Sequence, residues 1–543
     1  MGDPFGLVAD ESDFLILPSK IANGEGIKYY GDGRFLYHDV MDLNWSAKLN
    51  GPIFVSPLIT SLLDLPAGPF NASASGKWNS SGNLYDYSTM IGAAFPAGAG
   101  RMGVFFNYTG QRGDFSGTQS LAGGPVSDPG FISATSSYNM DSSLDNFNLR
   151  MLYGQPLGCD MNIGFEMQIA YVQEQNDFNN HLRSLLVDGV NISSPLGLTI
   201  DQKNDFIGEL FPFMKPYDSS FWEVLFKAGL EGKFGPASVG MAARGGPIFG
   251  GDNSWTNIQT VGVDVPGLIS GTARNAFKLD GDVSGFKVGG DLWVRVPYSD
   301  TCSLPFSVRI DYQEKTRDGA GIGTASLNGV LFDQSVSEAI DLGWGYKNTT
   351  KNLDIEAGGG FDMQVSKDLK VAAGIYYNYI STKERFALSL DPGLTLPLGL
   401  GDLIINLDDD QFPDTTKNLV KLKLAAEQKM NDWMLRGGFT AFGGWVEEDY
   451  SSFLGTPVLN LTNILSNTGS LDGEIWGVMG SLGASFKFDG YTVEPFVQAG
   501  YQSLSVSGPG ATGVLGGTLV NVPWSLNRDR DEFLVGAGFS ILF

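Results

Sequence analysis

The sequence predicts an all-β fold, a transmembrane antiparallel up-and-down β-barrel of about 16 strands, with short periplasmic turns and long extracellular loops. The clearest sign is the segment 531–543, in which every second residue is apolar. Because successive side chains of a strand point to opposite faces, one face of this strand suits hydrocarbon and the other a lumen. The same alternation recurs along the chain, and the connections between the alternating segments are short and long in turn.

The final strand carries its apolar residues in the register of Phe539, Ile541 and Phe543, and the chain stops on an aromatic residue. This pattern resembles the closing strand of Gram-negative outer-membrane β-barrels. The resemblance implies a bacterial outer-membrane location, with the membrane lipid and the barrel-insertion machinery as partners. It also implies that these three residues form part of the assembly signal which that machinery reads.

Other segments have aromatic residues about ten positions apart, which is the length of a tilted strand that crosses a bilayer. Tyr491 and Tyr501 bracket one such strand, and Pro495 within it predicts a bulge because proline has no N–H for the ladder. The predicted strands are 41–49, 85–95, 102–110, 143–153, 161–173, 221–234, 237–247, 282–298, 304–315, 353–365, 369–381, 419–430, 433–446, 475–488, 491–504 and 531–543.

The connections predict which end of each strand faces which side of the membrane. Turns rich in Gly, Pro, Asn and Asp occur at 97–101, 156–160, 235–236, 299–303, 366–368, 431–432 and 489–490. The long connections are 50–84, 111–142, 174–220, 248–281, 316–352, 382–418, 447–474 and 505–530. Short periplasmic turns and long external loops are typical of bacterial barrels, and an even strand number puts both chain ends on one side.

Composition excludes several other classes. Only 17% of the 543 residues are charged, below the roughly 25% of ordinary soluble domains, and 73 are glycine. The net charge of -25 argues against nucleic-acid binding, which depends on Lys and Arg at phosphates. No apolar run reaches the roughly 18 residues of a membrane-spanning helix. A barrel must be exported, so we expect the numbering to begin after a cleaved signal.

The cysteines and histidines give little support for a reactive site. Cys159 and Cys302 lie in predicted turns about four strands apart, too far for a disulfide, and neither belongs to a haem-attachment motif. His38 and His181 are far apart and lie outside the predicted strands. The glycine-rich segment 98–103 is followed by a strand, whereas a nucleotide site needs a helix there. We therefore expect no enzyme activity, no catalytic residue, no metal site and no cofactor.

A single-domain barrel is predicted at 41–543, preceded by an N-terminal segment 1–40 that is periplasmic or inserted in the lumen. Residues 9–22 resemble the start of the long-chain fatty-acid channel family, in which an acidic stretch precedes an Asn-Pro-Ala segment. Here Leu17, Pro18 and Ser19 replace that segment, and the predicted strands outnumber those of the family. The resemblance implies that the N-terminus forms a hatch that closes the lumen.

The inward faces of the predicted strands carry charges of both signs. These residues could pair across neighbouring strands and fill a hydrated lumen, or they could line a pore whose field selects solutes. The predicted pore-lining residues are Arg150, Glu166, Glu223, Lys227, Arg244, Lys287, Asp291, Arg295, Arg309, Asp311, Asp354, Glu356, Lys421, Lys423, Glu427, Arg436 and Glu494.

The long connections contain two further kinds of pattern. Asp408, Asp409, Asp410 and Asp414 form an acidic group that suits either a hydrated surface or a divalent cation. The segments 194–200, 263–269, 394–407 and 457–465 are apolar and suit either a roof over the barrel or a contact surface.

The sequence favours a porin-like outer-membrane channel for passive passage of small solutes. Two alternatives remain open. One is a transporter of hydrophobic compounds closed by an N-terminal hatch. The other is a barrel that sheathes a periplasmic or extracellular cytochrome, with the partner supplying the haem. The sequence does not decide between a monomer and a homo-oligomer.

Overall fold

The computed structural model describes residues 17–24, 26–53, 70–125, 132–158, 160–187, 190–191, 199–203, 218–265, 269–331, 334–391, 395–396, 401–402, 405–456, 461–515 and 519–543. Within these residues the chain forms one closed barrel of 16 long antiparallel strands, as predicted. The strands are β1 (Lys28–Ile53), β2 (Phe70–Ala97), β3 (Gly100–Pro125), β4 (Ile132–Leu157), β5 (Met161–Val187), β6 (Asp218–Phe234), β7 (Ala237–Val265), β8 (Ile269–Ser299), β9 (Cys302–Leu331), β10 (Gln334–Gln364), β11 (Leu369–Asp391), β12 (Ile405–Met430), β13 (Trp433–Thr456), β14 (Leu461–Phe488), β15 (Tyr491–Leu515) and β16 (Leu519–Leu542).

The first and last strands close the barrel. β16 pairs with β1 in a register that runs from Tyr30 opposite Leu542 to Leu49 opposite Trp524. Beyond the last ladder pair, the backbones of Tyr29 and Phe543 exchange hydrogen bonds of 3.2 and 3.0 Å. Closure leaves the membrane-spanning backbone without an open edge, which is the condition for a sheet to cross lipid.

Small elements accompany the barrel strands. A 3-10 helix spans Pro18–Asn23. Two short strands, Val190–Asn191 and Thr199–Lys203, join the sheet beside β5, and the second also pairs with β7. A separate two-stranded ribbon consists of Thr395–Leu396 and Gly401–Asp402. Among the described residues, no helix is long and apolar enough to span a membrane.

The outer face carries a belt of exposed apolar side chains. Trp222 and Phe234 mark its two edges on β6, and Phe286 and Tyr298 mark them on β8. Each pair is separated by about 12 residues, which at about 3.3 Å per residue and a tilt of about 45° spans about 28 Å. This height matches the hydrocarbon core of a bilayer, so the belt is the lipid-facing surface.

Every predicted strand matches one observed strand, although 353–365 and 531–543 each run one residue past its end. The observed strands are longer, from 17 residues in β6 to 31 in β8. The segment 316–352, predicted as a loop, is a hairpin in which β9 and β10 stay paired out to Leu331 and Gln334. Beyond the belt both faces of a strand meet polar surroundings. The apolar alternation that marks a strand in lipid is therefore absent there, although the ladder continues.

The first strand shows the same effect at its beginning. It was predicted at 41–49, yet β1 begins at Lys28 and pairs with β2 from its first residue. Residues 28–40, assigned from the sequence to the N-terminal segment, therefore form part of the barrel wall. Glycines at positions 31 and 33 occupy the outward register between Tyr29 and Phe35, so the apolar pattern is too sparse to recognise.

The predicted short turns are confirmed where the structure describes them. Gly98, Gly235, Asn431 and Gly490 have φ between 44° and 91°, a conformation that glycine and asparagine adopt most easily. Cys302 is the first residue of β9, whereas Cys159 lies outside the described residues, so the expectation for a disulfide stays untested.

Two local predictions are wrong. His38 and His181 were placed outside the strands, but they belong to the extended parts of β1 and β5. Pro495 does not cause a bulge, because it stands opposite Phe539 in an unshifted register with β16. On the other side of β15, the pairing with β14 is interrupted around Pro495 and resumes in the same register. The missing N–H of proline therefore removes ladder pairs but does not shift the strand.

Candidate functional site: the barrel interior

The inner face is defined by strand periodicity. On β8, Phe286 and Val288 are exposed on the outside, while Lys287 between them donates a hydrogen bond to Glu223 of β6. The same alternation puts all 17 predicted pore-lining residues on the inner register of their strands. Their role in lining a path for solutes stays a prediction.

Residues 17–24, called here the luminal segment, lie inside the barrel near its short-turn end. Ile21 packs in a buried cluster with Ala94, Phe105 and Leu152 of β2, β3 and β4. Leu17 packs against Ala242 of β7 and Trp293 of β8. Leu17 and Ile21 are only 1% and 3% exposed, so the segment is held by the burial of its apolar side chains on both sides of the 3-10 helix.

Five glycines make the seat for the luminal segment, one on each strand from β3 to β7. A Cβ at Gly103 or Gly154 would come within 2.7 Å of the Ile21 side chain, and one at Gly240 within 2.8 Å of the Leu17 side chain. At Gly164 it would overlap the backbone of Pro18 and Ser19, and at Gly229 it would approach Leu17 and Pro18 to 3.1 Å. The wall is therefore thinned where the segment lies.

The three central glycines are in direct register, Gly154 opposite Gly164 and Gly164 opposite Gly229. They form a row across β4, β5 and β6 that faces the lumen. Each lacks the side chain that a barrel interior otherwise uses to fill space. The row lets the luminal segment lie against the backbone of the wall.

Polar contacts hold the other parts of the luminal segment. Asn162 donates a hydrogen bond of 2.7 Å from Nδ2 to Oδ1 of Asn23. Arg101, which is 5% exposed, donates from Nη1 to the carbonyl of Gly26 at 2.7 Å. The ammonium group of Lys20 lies 4.8 Å from the ring centroid of Trp293. These contacts join the segment to β3, β5 and β8.

A layer of paired charges lies on the inner face of β4 to β9. Asp291, whose side chain is 1% exposed, forms ion pairs with Arg244, with Lys227 at 3.6 Å and with Arg309 at 3.1 Å. Arg244 also donates from Nε to Asp311 at 2.8 Å. Buried charges of this kind persist only when they are paired, so the layer is mutually dependent.

The remaining predicted charges also form pairs. Glu356 of β10 accepts hydrogen bonds from Lys421 at 2.7 Å and Lys423 at 2.9 Å. The other pairs within hydrogen-bond distance are Arg150 with Glu166, Arg295 with Asp362, and Arg436 with Glu494 and Glu427; Asp354 accepts from Asn378. The charges thus pair between strands, which was one of the two interpretations left open by the sequence.

One set of ion pairs crosses the lumen. Glu174 of β5 pairs with Lys315 at 2.9 Å and with Arg317, both on β9. β5 and β9 are not neighbours, because β6, β7 and β8 lie between them in the sheet. These side chains therefore join strands that are four apart in the sheet and narrow the lumen between them. The sequence did not indicate them because Glu174 and Arg317 lie in segments predicted as loops, although Lys315 ends a predicted strand.

An apolar layer lies beside this bridge. Val172, Phe221, Ile248 and Val283 form a buried cluster on β5 to β8, with Leu144 of β4 packed against it. All five face the lumen, where a water-filled pore would carry polar side chains. These side chains are at most 5% exposed, apart from the partly buried Leu144, so the layer packs on itself, and the ammonium group of Lys315 lies 4.6 Å from the ring centroid of Phe221.

The seam between β1 and β16 contains a further buried polar group. The His38 side chain lies between Glu532 of β16, which it contacts through Nδ1, and Asp86 of β2, 2.8 Å from Nε2. Gln502 donates a hydrogen bond of 2.6 Å to Glu532. Sequence reasoning missed this group, because His38 lies before the predicted start of its strand.

Several other predictions can be placed only in part. Phe539 and Phe543 are exposed on the outer face of β16 in the register of Ile541, and their role in assembly stays a prediction. No group of three metal-ligating side chains occurs among the described residues. The side chains of Asp408, Asp409 and Asp410 and most of the apolar connections lie outside what the structure describes.

The closed barrel and its lipid-facing belt define the class of the protein as a transmembrane β-barrel of the bacterial outer membrane. No protein-family model matches the chain, and no curated protein matches it.

Three solved structures of this fold are similar over almost the whole chain. A mutant of the monoaromatic hydrocarbon channel TodX matches with 10% identity and a TM-score of 0.35, covering 98% of this chain and 94% of that one. A Pseudomonas aeruginosa FadL homologue matches with 12% identity, a TM-score of 0.35 and the same coverage. The Pseudomonas putida toluene transporter TodX matches with 11% identity and a TM-score of 0.30, covering 97% of this chain and 93% of that one. At TM-scores of this size the likeness does not establish a shared function.

Proposed function

We propose that the protein is a gated channel for small hydrophobic compounds, closed at its short-turn end by the luminal segment acting as a hatch. The observation that carries this proposal is the seat of Leu17 and Ile21 on the glycines of β3 to β7. Five successive strands carry glycine where the segment lies, so the wall loses the packing that larger side chains would provide. That loss of stability is understandable if the segment controls passage through the lumen.

The apolar layer around Phe221 supports the substrate class. The cluster is buried, so a solute that passes it must part its side chains. An ion or sugar would then be desolvated against Val172, Phe221 and Ile248, which is unfavourable, whereas a hydrophobic solute would gain by burial there. The paired charges of the interior support the same view, since they leave little net field to select ions. The open porin is less well supported, because the luminal segment and the bridge from Glu174 to Lys315 both occupy the lumen.

The cytochrome sheath is also less well supported. A sheath must hold a folded partner inside the barrel, and ion pairs from β5 to β9 cross the space such a partner would need.

Single-channel recording in planar bilayers tests the gate. We expect the unmodified protein to be closed and Gly164→Val to give steady openings, because a side chain there displaces Pro18 and Ser19. Ile21→Asp should open the channel without altering the wall, since a carboxylate cannot stay in an apolar cluster. Gly480→Val is the matched control, because a Cβ at Gly480 meets open space.

Correct folding of each variant is checked by circular dichroism and by heat-dependent mobility on gels. Steady openings of the unmodified protein would contradict the gate and favour the open porin. Closed recordings from both folded variants would also overturn it. The substrate class is tested by uptake of radiolabelled toluene and glycerol into cells whose outer leaflet is lipopolysaccharide; we expect only toluene uptake to depend on the protein.

A further inference from the structure

Two sets of ion pairs in the lumen join strands that are far apart in the sheet. In the first, Glu174 of β5 pairs with Lys315 and Arg317 of β9, and three strands lie between them. In the second, Glu448 of β13 pairs with Arg528 of β16, and two strands lie between them. These side chains leave the wall and span part of the interior. The two sets are called here the first and second strap.

Both straps lie just beyond the lipid-facing belt, on the side of the long connections. Glu174 stands opposite Ser219, which is farther from the short turns than Trp222 on the same strand. Glu448 is likewise farther from the short turns than Trp445 of β13. Trp222 and Trp445 are exposed on the outer face and belong to the belt. A solute that enters from this side therefore meets the straps before it reaches the luminal segment.

The straps are largely removed from water. The side chains of Arg317 and Glu448 are each 1% exposed, and no strap side chain is more than 18% exposed. Separating a buried ion pair is strongly unfavourable, because each partner would be left without its counter-charge. The straps therefore oppose any movement of the wall that widens the lumen at their height.

Buried apolar side chains fill the wall between the ends of each strap. The ammonium group of Lys315 lies 4.6 Å from the ring centroid of Phe221, which packs with Ile248 between β5 and β9. Between β13 and β16, Leu471 and Val506 are 0% and 1% exposed. Contacts between apolar side chains are not directional, so these groups can shift without breaking an ion pair.

Inward charges are less crowded at the level of the belt. The side chain of Arg34 on β1 is 57% exposed, that of Asp311 on β9 is 45% exposed, and that of Glu494 on β15 is 33% exposed. The lumen is therefore more closely filled at the straps than within the membrane.

We propose that the two straps determine the specificity of the channel by setting the largest solute that can pass. A small hydrophobic solute passes by displacing apolar side chains such as Phe221. A larger one has to move apart the strands that the straps join, which requires the buried ion pairs to break. This proposal rests on the proposed function and narrows its substrate class to compounds of about one aromatic ring.

Uptake of radiolabelled toluene and pyrene into cells that contain the full-length protein tests the proposal. Toluene has one ring and pyrene has four, and both are uncharged and apolar. We expect the unmodified protein to increase the uptake of toluene and not that of pyrene. Glu174→Gln and Glu448→Gln keep the shape of the side chain and remove its charge. Each should raise the ratio of pyrene to toluene uptake about tenfold, since widening no longer separates two opposite charges.

Glu447→Gln is the matched control. Glu447 is the neighbour of Glu448 on β13, but it is exposed on the outer face. The same charge is removed outside the lumen, so the uptake ratio should stay that of the unmodified protein. A ratio raised as much by this control as by Glu448→Gln would overturn the proposal.

A second variant avoids an unpaired buried charge. Glu448→Leu combined with Arg528→Met removes both charges and keeps similar volumes, a replacement that buried ion pairs often tolerate without loss of stability. Insertion and folding are checked by heat-dependent mobility on gels. We expect the double variant to admit pyrene as Glu448→Gln does. An unchanged ratio in the folded variants, or equal uptake of the two solutes by the unmodified protein, would overturn the size limit.

The straps and the proposed function fail in different ways. Toluene uptake that depends on the protein, with a ratio that no strap variant changes, would contradict the straps and retain the channel for hydrophobic compounds. Toluene uptake that does not depend on the protein would overturn both.

Discussion

At the scale of single residues, the interior is an arrangement of charges that depend on one another. Asp291 is surrounded by Arg244, Lys227 and Arg309 and is almost fully removed from solvent. Removing such a charged group from water costs free energy, and only its ion pairs offset that cost. Replacing the carboxylate leaves three cations close together with their common counter-charge gone.

We therefore predict that Asp291→Asn lowers the free energy of unfolding by about 3 to 5 kcal/mol, the usual cost of breaking a buried ion pair from one side. Urea unfolding in detergent micelles, followed by tryptophan fluorescence, measures the change. Asp282→Asn on the same strand is the control, because Asp282 is exposed, and its effect should stay within about 0.5 kcal/mol. Equal effects of the two substitutions would show that the charge layer does not stabilise the barrel.

A second prediction concerns Asp218, which lies on β6 beyond the lipid-facing belt. Burial and the neighbouring Asp177 raise the pKa of the Asp218 carboxyl above its usual value. A raised pKa means that folding favours the protonated form, so this group stabilises the fold at low pH and that contribution is lost as pH rises through the folded pKa.

Asp218→Asn should therefore raise the urea midpoint at pH 7, and the gain should disappear below about pH 4, near the unperturbed pKa of Asp. Asp177→Asn should give a smaller gain of the same sign, because it removes the secondary cause. A gain from Asp218→Asn that is the same at both pH values would contradict this account.

The inner or outer position of each charge could be predicted from the sequence, and its partner could not. Strand period alone puts Lys421 and Lys423 on one face. That both donate to Glu356 depends on the register of β10, β11 and β12, which a single sequence does not contain. The bridge from Glu174 to Arg317 was further hidden, because both residues lie just beyond the predicted ends of their strands.

At the scale of elements, the luminal segment is a short helix whose position depends on two apolar anchors. Ile21 fills a pocket made by Ala94, Phe105 and Leu152, and Leu17 fills one beside Trp293. The resemblance of residues 9–22 to a channel family implied a hatch, but it could not indicate the seat. The glycines of the seat look like ordinary strand glycines until the strands are aligned.

Ile21→Ala should weaken one anchor and leave the other. Shortening a buried isoleucine to alanine typically costs about 2 to 5 kcal/mol. We expect brief openings in single-channel recordings, rather than the steady openings of Gly164→Val. Ile27→Ala is the control, since Ile27 is 59% exposed and should leave the channel closed. Identical recordings from the two variants would argue against the anchor.

At the scale of the whole molecule, the barrel is taller than the membrane. β9 and β10 remain paired far beyond the belt, to Leu331 and Gln334. The fold class could be predicted because lipid forces apolar alternation on every strand it touches. The extension could not be predicted. Above the membrane both faces of a strand meet polar surroundings, so no alternation of apolar and polar residues marks the strand.

The extension predicts a tall protrusion on the long-connection side of the membrane. About 18 residues of β9 lie beyond the belt, which at about 3.3 Å per residue and a tilt of about 45° gives about 40 Å. Atomic force microscopy of the protein in supported bilayers should measure this height on one side and a nearly flat surface on the other. Low, irregular features on both sides would contradict an extended barrel.

The five glycines that receive the luminal segment also constrain the order in which parts of the chain can fold. The pocket for residues 17–24 is assembled from β3, β4, β5, β6 and β7, so it does not exist until those strands have aligned. The strand that follows the segment in the chain, β1, must meanwhile find β16, which is synthesised last. The earliest described residues therefore reach their place late. If they form the proposed gate, a newly inserted barrel should leak until they are in place, and closure should be the final step of biogenesis.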